Sequence, residues 1–348
     1  MNKVFDRARQ YADEARLAAE LAHEATPMID ERFLSIGRRV IQASTNPFFS
    51  IIDEQKLTGD ARPESVNHHL TLLQPNAHST QEVSDQLAKV DLMLGAEAVE
   101  LTQTFSEYAS KHQIFERMKS SPDHKGEKFI VVSNHLELQD QGFTLGLWQK
   151  AGRLQGYDRL ENHLTVVVGR LIGYYQLGDE NVVDDILRKA GSVLKTFPAG
   201  GTEALTEDEQ VLGLFRKICN HRTKDAFIEL IDSREGRIIC MAPSGEQDKL
   251  DTATGDVMMR RFGAGTSDMM VAASESGATI IPIFVDYQLG ANIVKLLDPV
   301  EPGEIGNRAD CDEVGRKIAT AGTGARGEAR VRYPSEKRFL HNVRYQEA

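Results

Sequence analysis

The chain has 348 residues, of which 41% are hydrophobic and 27% charged, as is usual for a globular protein with a substantial core. Its formal net charge of −11 disfavours a nucleic-acid-binding protein, which normally carries a basic domain or stripe. The N-terminal residues lack the apolar core of a signal peptide, and no apolar run approaches the ~20 residues of a membrane span. We therefore expect a soluble, cytoplasmic protein whose membrane contact is at most peripheral.

The first third of the chain has a helical pattern. Apolar residues recur at helical spacing in two stripes, formed by Ala8, Ala12, Ala15, Ala19 and Ala22 and by Val83, Leu87, Val90, Leu94 and Leu101. Breaks fall at Pro47, Pro63 and Pro75. The pattern predicts a helical bundle or cap domain over residues 1–120.

From residue 121 to residue 348 the pattern changes to α/β. Short β-branched runs predict strands at Phe129–Val132, Leu164–Val168, Val193–Phe197, Arg237–Met241 and Thr279–Val285. Amphipathic segments between them predict helices at Gly142–Gly152, Asn181–Lys189, Leu212–Ile231 and Asp268–Glu275. This alternation indicates a mainly parallel or mixed sheet flanked by helices. Residues 298–313 have the character of a loop, and the last fifty residues suggest a helix and an irregular tail.

The cysteines indicate free thiols in a reducing compartment. Cys219, Cys240 and Cys311 are widely spaced and odd in number, and they have no zinc-ligand spacing. Cys240 lies inside the apolar run RIICM, which favours a core residue over a catalytic thiol.

The segment KFIVVSNHLELQD, residues 128–140, carries the clearest chemical signal. An apolar strand delivers His135 to its carboxyl end, and Asp140 follows five residues later. The carboxyl ends of strands are where α/β sheets present their active sites. A histidine with a nearby carboxylate is the minimum set for a general base whose ring is oriented by an acid.

Three further segments are unusual. KTFPAGGTE and MAPSGEQDK each run from a strand into a turn, and IIPIF places Pro282 inside an apolar strand. Each turn is explained either by the conformational freedom of glycine or by an anion site built from main-chain N–H groups. Neither matches a P-loop. Proline removes a ladder hydrogen bond, so Pro282 indicates an edge strand, a bulge or a functional bend.

In this order the segments resemble the glycerolipid acyltransferases, and most closely the soluble, plastid-type glycerol-3-phosphate acyltransferases. NHLELQD resembles that family's Asn-His-x4-Asp motif, and APSGEQDKLD resembles its Ala-Pro-Ser-Gly-Gly-Arg-Asp-Arg-Pro-Asp segment. The helix containing RKICNHR resembles a third family segment, and IIPIF resembles its last motif. The likeness covers roughly residues 115–290.

The resemblance implies acyl transfer without a cofactor. His135 would take the proton from an acceptor hydroxyl as its oxygen attacks an acyl thioester, and Asp140 would orient the imidazole, with no acyl-enzyme. The donor would be acyl-CoA or acyl carrier protein, and the acceptor a small molecule resembling glycerol 3-phosphate. We expect further substrate contacts from Asn134, Lys195, Gly200, Gly201, Thr202, Arg222, Ser244, Gly245, Gln247 and Lys249.

The acceptor site departs from the family pattern. The plastid-type enzymes hold the acceptor's phosphate with two arginines, where this chain has Gln247 and Lys249, and with a Lys-His pair that falls near Ala199–Thr202 here. An amide is a poor substitute for a bidentate arginine clamp. Added positive charge is expected from Lys195, Arg222, Arg170 or Arg216.

Three alternatives stay open on this sequence. The acceptor is a different alcohol or an amine from a specialised lipid or natural-product pathway; the protein holds an acyl chain or carrier protein without turnover; or the base activates water in a hydrolase. The intact His135 and Asp140 pair disfavours the binding module.

Overall fold

The computed structural model has an α/β fold in which helices flank a mixed sheet. It describes residues 72–73, 94–136, 140–157, 159–169, 192–196, 223–224, 226–244, 248–250, 256–287, 292–325 and 331–334. Within these residues, the main sheet has seven strands and a second sheet has three short strands. The expectation of an α/β fold with a mixed sheet is confirmed.

The seven-stranded sheet has the order β1-β4-β3-β5-β2-β8-β9. Its five inner strands are parallel, whereas β1 and β9 are antiparallel edges. The strands are β1 (Leu72–Leu73), β2 (Lys128–Ser133), β3 (Leu164–Gly169), β4 (Ser192–Thr196), β5 (Arg237–Met241), β8 (Thr279–Asp286) and β9 (Ile293–Leu296). The smaller sheet contains β6 (Lys249–Leu250), β7 (Val257–Met258) and β10 (Val331–Arg332).

Helices cover both faces of the main sheet. They are α1 (Ala98–Lys111), α2 (Ile114–Arg117), α3 (Asp140–Leu154), α4 (Ala264–Glu275) and α5 (Arg308–Ala325). Short 3₁₀ helices occupy Gly95–Glu97 and Leu160–His163. Residues 223–224 and 226–232 are also helical.

Two apolar layers result from the alternation of side chains along the strands. Phe129 and Val131 of β2 face the layer that contains α1, α2 and α3, where Trp148 packs edge-on to Phe105 with ring centroids 5.0 Å apart. Ile130 of β2 faces the opposite layer, which contains α4 and α5. Every residue of β2 is buried, as expected of a parallel strand covered on both faces.

The predicted strands are all present, with ends displaced by at most one residue. Predicted helices at Gly142–Gly152 and Asp268–Glu275 are also present, as α3 and α4, each extended at its amino end. The described end of Leu212–Ile231 is helical, whereas Asn181–Lys189 lies outside the described residues. Strands of two to four residues in β6, β7, β9 and β10 were not predicted, because such short segments carry too few residues for a period-2 pattern.

Two expectations were wrong in detail. Leu72–Leu73 lies in the part of the chain expected to be helical, yet it is a strand paired with β4. Pro75 follows two residues later and disfavours helix in the residue before it. The predicted loop over residues 298–313 ends earlier, because Asn307 accepts hydrogen bonds from the N–H groups of Ala309 and Asp310 and so caps α5.

The division into domains at residue 120 stays a prediction, because residues 1–71 and 74–93 lie outside the described part of the chain. The described helices before that position, α1 and α2, belong to the apolar layer of the main sheet.

Pro282 lies in an interior strand next to a bulge, which is one of the three alternatives that the sequence left open. Ile283 pairs with Leu296, and Ile280 pairs with Val300. The two pairs are three residues apart along β8 but four residues apart along the segment that starts at the end of β9, so this segment contains one extra residue, as in a β-bulge. The Pro282 carbonyl accepts a hydrogen bond from Leu297 N–H at 3.0 Å. In a strand, the N–H and the carbonyl of one residue point to the same side. The position that a Pro282 N–H would occupy therefore faces this irregular stretch, where the regular ladder of hydrogen bonds is already interrupted.

Helix α5 packs closely on the sheet through Gly322. A Cβ atom at this position would lie 2.5 Å from a ring carbon of Phe284 and 2.8 Å from a methyl of Val331. Phe284 is fully buried and cannot move away at low cost. Gly324, in the same helix, has open space instead, since no atom of the described residues lies within 4 Å of where its Cβ would be.

These two glycines give a matched test of the packing. We expect Gly322→Ala to lower the free energy of unfolding by about 1–3 kcal/mol through overpacking. Gly324→Ala should leave it unchanged or raise it by up to ~1 kcal/mol, because alanine favours helix. Urea denaturation measures both. Equal effects of the two substitutions would contradict this packing of α5 on β8.

Candidate active site

The candidate site lies where the carboxyl ends of β2 and β5 meet. These two strands are parallel neighbours. The chain leaves β2 through α3 on one face of the sheet and leaves β5 towards α4 on the other face. Such a reversal opens a crevice at the carboxyl ends of the strands, where open α/β sheets bind their ligands.

His135 and Asp140 come together at this end of the sheet. His135 is the second residue after β2, and Asp140 is the first residue of α3. The imidazole Nδ1 lies 3.5 Å from Asp140 Oδ2, and the side chains are 6% and 0% exposed. That distance exceeds a strong hydrogen bond, but catalytic contacts are often long before substrate binds. The two side chains therefore lie close together, but His135 Nδ1 has no hydrogen-bond partner among the described residues, and the catalytic role of the pair stays a prediction.

The Asp140 carboxylate also closes the turn between β2 and α3. Its Oδ2 atom accepts a hydrogen bond from Leu136 N–H at 2.7 Å. The amino terminus of α3 further favours a negative charge at this position. The neighbouring Gln141 side chain donates to Ser133 Oγ at 2.9 Å and ties the start of α3 to the end of β2.

Asn134 extends the sheet with its side chain. Its amide nitrogen donates to the Val285 carbonyl at 2.8 Å, and its amide oxygen accepts from Val285 N–H at 2.8 Å. Asn134 is 2% exposed. It therefore holds the end of β2 against β8, and its expected role in substrate binding stays a prediction.

Asp248 joins the site from the turn after β5. Its Oδ2 atom accepts from His135 N–H at 2.8 Å, and its Oδ1 atom accepts from Arg260 N–H at 2.7 Å. Its own N–H donates to the His135 carbonyl at 2.5 Å. Burial raises the pKa of Asp248 to about 7 and the charge of Asp140 adds to this effect, while the hydrogen bonds from Arg260 and His135 oppose it.

A role for Asp248 was not predicted from the sequence. The signal for it was its match to the aspartate between the two arginines of the resembled segment. Hydrogen-bond partners of a carboxylate are not encoded in a local pattern, so only the fold reveals that it contacts His135.

The turn after β5 is fixed to the start of α4. The Pro243 carbonyl accepts hydrogen bonds from Gly263 N–H at 2.8 Å and from the Thr266 hydroxyl. Gly263 caps α4 and approaches this carbonyl so closely that a Cβ atom would lie 3.4 Å from it. The segment MAPS is thereby held beside the crevice.

The other predicted substrate residues are distributed unevenly. Ser244 and Lys249 lie on either side of residues 245–247 in the chain, and both are half-buried. Lys195 lies in β4, three strands from β2, a separation of about 14 Å at the usual strand spacing. The predicted residues outside the described part of the chain are Gly200, Gly201, Thr202, Arg222, Gly245 and Gln247, together with Arg170 and Arg216.

A buried polar pair lies behind the base. The Tyr287 hydroxyl lies 3.3 Å from Thr144 Oγ, in α3, and its ring meets Phe143 edge-on at 5.2 Å. Burial raises the pKa of Tyr287 far above its ordinary value, so its hydroxyl is neutral. Cys240 is buried in β5, and burial likewise raises the pKa of its thiol, which confirms it as a core residue.

No family model matches this chain, and no curated protein matches it. Among the described residues, no helix has the length and apolar character needed to cross a membrane. Within those residues, no cluster of three or more histidine, cysteine, aspartate or glutamate side chains is arranged to hold a metal ion.

The arrangement can accept a proton next to a crevice. A histidine with a buried carboxylate beside one ring nitrogen is suited to general-base chemistry through the other. The main chain of His135 is held by a second carboxylate, that of Asp248. This geometry suits removal of a proton from a bound hydroxyl, amine or water.

The raised pKa of Asp248 predicts a pH-dependent contribution to stability. The folded protein binds this proton more tightly than the unfolded chain, so the free energy of unfolding contributed by Asp248 falls as pH rises from about 4 to about 7. The wild type should therefore lose stability relative to Asp248→Asn between about pH 5 and about pH 8 in urea denaturation.

Asp312→Asn is the matched control, since Asp312 is as buried as Asp248. Burial alone would raise the pKa of Asp312, but hydrogen bonds from Arg261 and Tyr333 lower it overall. Its contribution to stability should therefore stay constant over the same pH range. The quantity to follow is the free energy of unfolding of the wild type minus that of Asp248→Asn. If this difference stays constant or becomes more positive as pH rises, the raised pKa is contradicted.

Proposed function

We propose that this protein is an acyltransferase that moves a fatty acyl group from a thioester to the hydroxyl of a small acceptor. The proposal is supported chiefly by the buried His135 and Asp140 pair, with 3.5 Å between Nδ1 and Oδ2, at the crevice between β2 and β5. The resemblance of this segment and of APSGEQDKLD to the glycerolipid acyltransferases supports the same chemistry.

In the proposed reaction, His135 acts as the general base. A proton on Nδ1 faces Asp140, which leaves the lone pair of Nε2 to take the proton of the acceptor hydroxyl. The acceptor oxygen attacks the thioester carbonyl, the carbon–sulfur bond breaks, and the imidazolium returns its proton to the leaving thiolate. Asp140 stabilises the imidazolium, and the acyl group never bonds to the protein.

The glycerol-3-phosphate-like acceptor is the more specific part of the proposal. Its phosphate requires cations where the resembled family has arginines. Two basic residues lie next to Asp248 through their main chains. Lys249 follows Asp248 in sequence, and the Arg260 N–H donates to Asp248 Oδ1. Both side chains are half-buried, so we propose that they supply the positive charge of the acceptor site.

The catalytic proposal is tested by thiol release from acyl-CoA and from acyl carrier protein, with and without glycerol 3-phosphate. We expect His135→Ala to lower the rate ~10²–10⁴-fold, the usual contribution of a general base. Asp140→Asn should lower it substantially, because the imidazole loses its carboxylate partner. His124→Ala is the control, since His124 is exposed, and it should retain the wild-type rate.

Each outcome separates the candidate functions. Release that depends on both His135 and glycerol 3-phosphate supports the proposal as stated. Thiol release that depends on His135 but is not increased by glycerol 3-phosphate indicates that the acceptor is another alcohol or an amine. Equal release without any acceptor indicates a hydrolase, and no release from either donor favours a module that binds acyl chains or carrier protein.

The acceptor site is tested by Lys249→Ala and Arg260→Ala. Loss of a charged hydrogen bond is worth about 1.5–3 kcal/mol, so each substitution should raise the KM for glycerol 3-phosphate roughly 10–100-fold with a smaller change for the acyl donor. Arg308→Ala is the control, because Arg308 is paired with Asp268 on the exposed surface of α5. An unchanged acceptor KM in both variants would rule out this phosphate site.

A further inference from the structure

We propose that Asp248 is a positioning residue, which ties the main chain of His135 to that of Arg260 and so sets the geometry of the imidazole against Asp140. The effect on rate rests on the proposed function. The effect on the imidazole itself does not, and it can be measured separately.

The hydrogen bonds around His135 carry this inference. Both main-chain polar groups of His135 form hydrogen bonds with Asp248. The His135 N–H donates to Asp248 Oδ2 at 2.8 Å, and the His135 carbonyl accepts from Asp248 N–H. The next N–H, of Leu136, is held by Asp140 at 2.7 Å. Two consecutive N–H groups are thus accepted by two buried carboxylates from different parts of the chain.

The chemistry of the carboxylate explains why an aspartate occupies this position. Its two oxygens accept from two separate donors, His135 N–H and Arg260 N–H. Asparagine has a single acceptor oxygen, so its amide nitrogen would face one of these donors. Burying this carboxylate beside Asp140 is unfavourable, as the raised pKa indicates, and the two N–H donors offset part of that cost.

The same carboxylate couples the base to the acceptor side of the site. Arg260 follows β7, and Lys249 lies in β6, so Asp248 joins the small sheet to the end of β2. A shift of Asp248 would move the imidazole relative to both of these cations. Displacement of a reacting group by ~1 Å can cost about 10²-fold in rate.

The test uses the full-length protein labelled with ¹⁵N-histidine, whose ring nitrogens report tautomer and environment. The His135 signals are identified by their absence in His135→Gln. We expect Asp248→Asn to shift or broaden them and to lower kcat ~10–10²-fold. The control is Asp312→Asn, which removes an equally buried carboxylate bonded to Arg261 and Tyr333, and it should leave the His135 signals unchanged.

The outcomes separate this inference from the proposed function. Unchanged His135 signals in a folded Asp248→Asn protein overturn it, as do equal shifts in Asp312→Asn. Shifted His135 signals in a protein whose wild type transfers no acyl group would support the positioning role and reject acyl transfer.

A second measurement applies if Asp248→Asn does not fold. Amide hydrogen exchange in the wild type then decides. The inference requires the His135 and Arg260 amides to exchange at least ~10²-fold more slowly than in an unstructured chain. Exchange of either amide at the unstructured rate overturns it.

Discussion

The site depends on the capture of main-chain N–H groups by buried carboxylates at the end of β2. Asp248 holds His135 at both of its main-chain polar groups, and Asp140 holds Leu136 while facing the imidazole. Because these residues are almost fully buried, each bond operates in a medium of low dielectric and is strong. The main chain of His135 is therefore held in place, and its ring lies beside Asp140.

This arrangement is possible because of the sheet around it. β2 is covered on both faces and paired on both edges, by β5 and β8, so the direction in which His135 leaves the strand is determined. Asn134 completes that support by continuing the pairing with Val285 through its side chain. The lack of an N–H at Pro282 falls opposite the bulge, and the parallel pairing of β8 with β2 stays regular.

The chemistry proposed for this site is proton abstraction, and the identity of the acceptor would determine the function. A base with a carboxylate partner serves acyl transfer, transfer to an amine and hydrolysis equally well. Lys249 and Arg260, whose main chains lie next to Asp248, are the proposed means of distinguishing these possibilities, because a phosphate-bearing acceptor needs cations and water does not. The motif resemblance favours acyl transfer, and the geometry of His135 and Asp140 is compatible with it.

Local pattern was sufficient to predict the inner strands, because Phe129–Val132 and Thr279–Val285 are β-branched runs bounded by turns. It was also sufficient to predict that His135 and Asp140 meet, since a strand end followed by a helix places residues five positions apart across one turn. The strand at Leu72–Leu73 was not predictable, because its pairing with β4 depends on residues more than a hundred positions away.

The sequence alone determined the α/β class, the parallel core and the pair that we propose as a general base and its partner. Tertiary structure decided that β5 inserts beside β2, that α3 and α4 lie on opposite faces, and that Asp248 therefore reaches the His135 main chain from 113 residues away. The physical reason is the sequence separation over which each effect acts. Side-chain periodicity and turn chemistry act over a few residues, whereas the partner of a buried carboxylate is chosen by strand order.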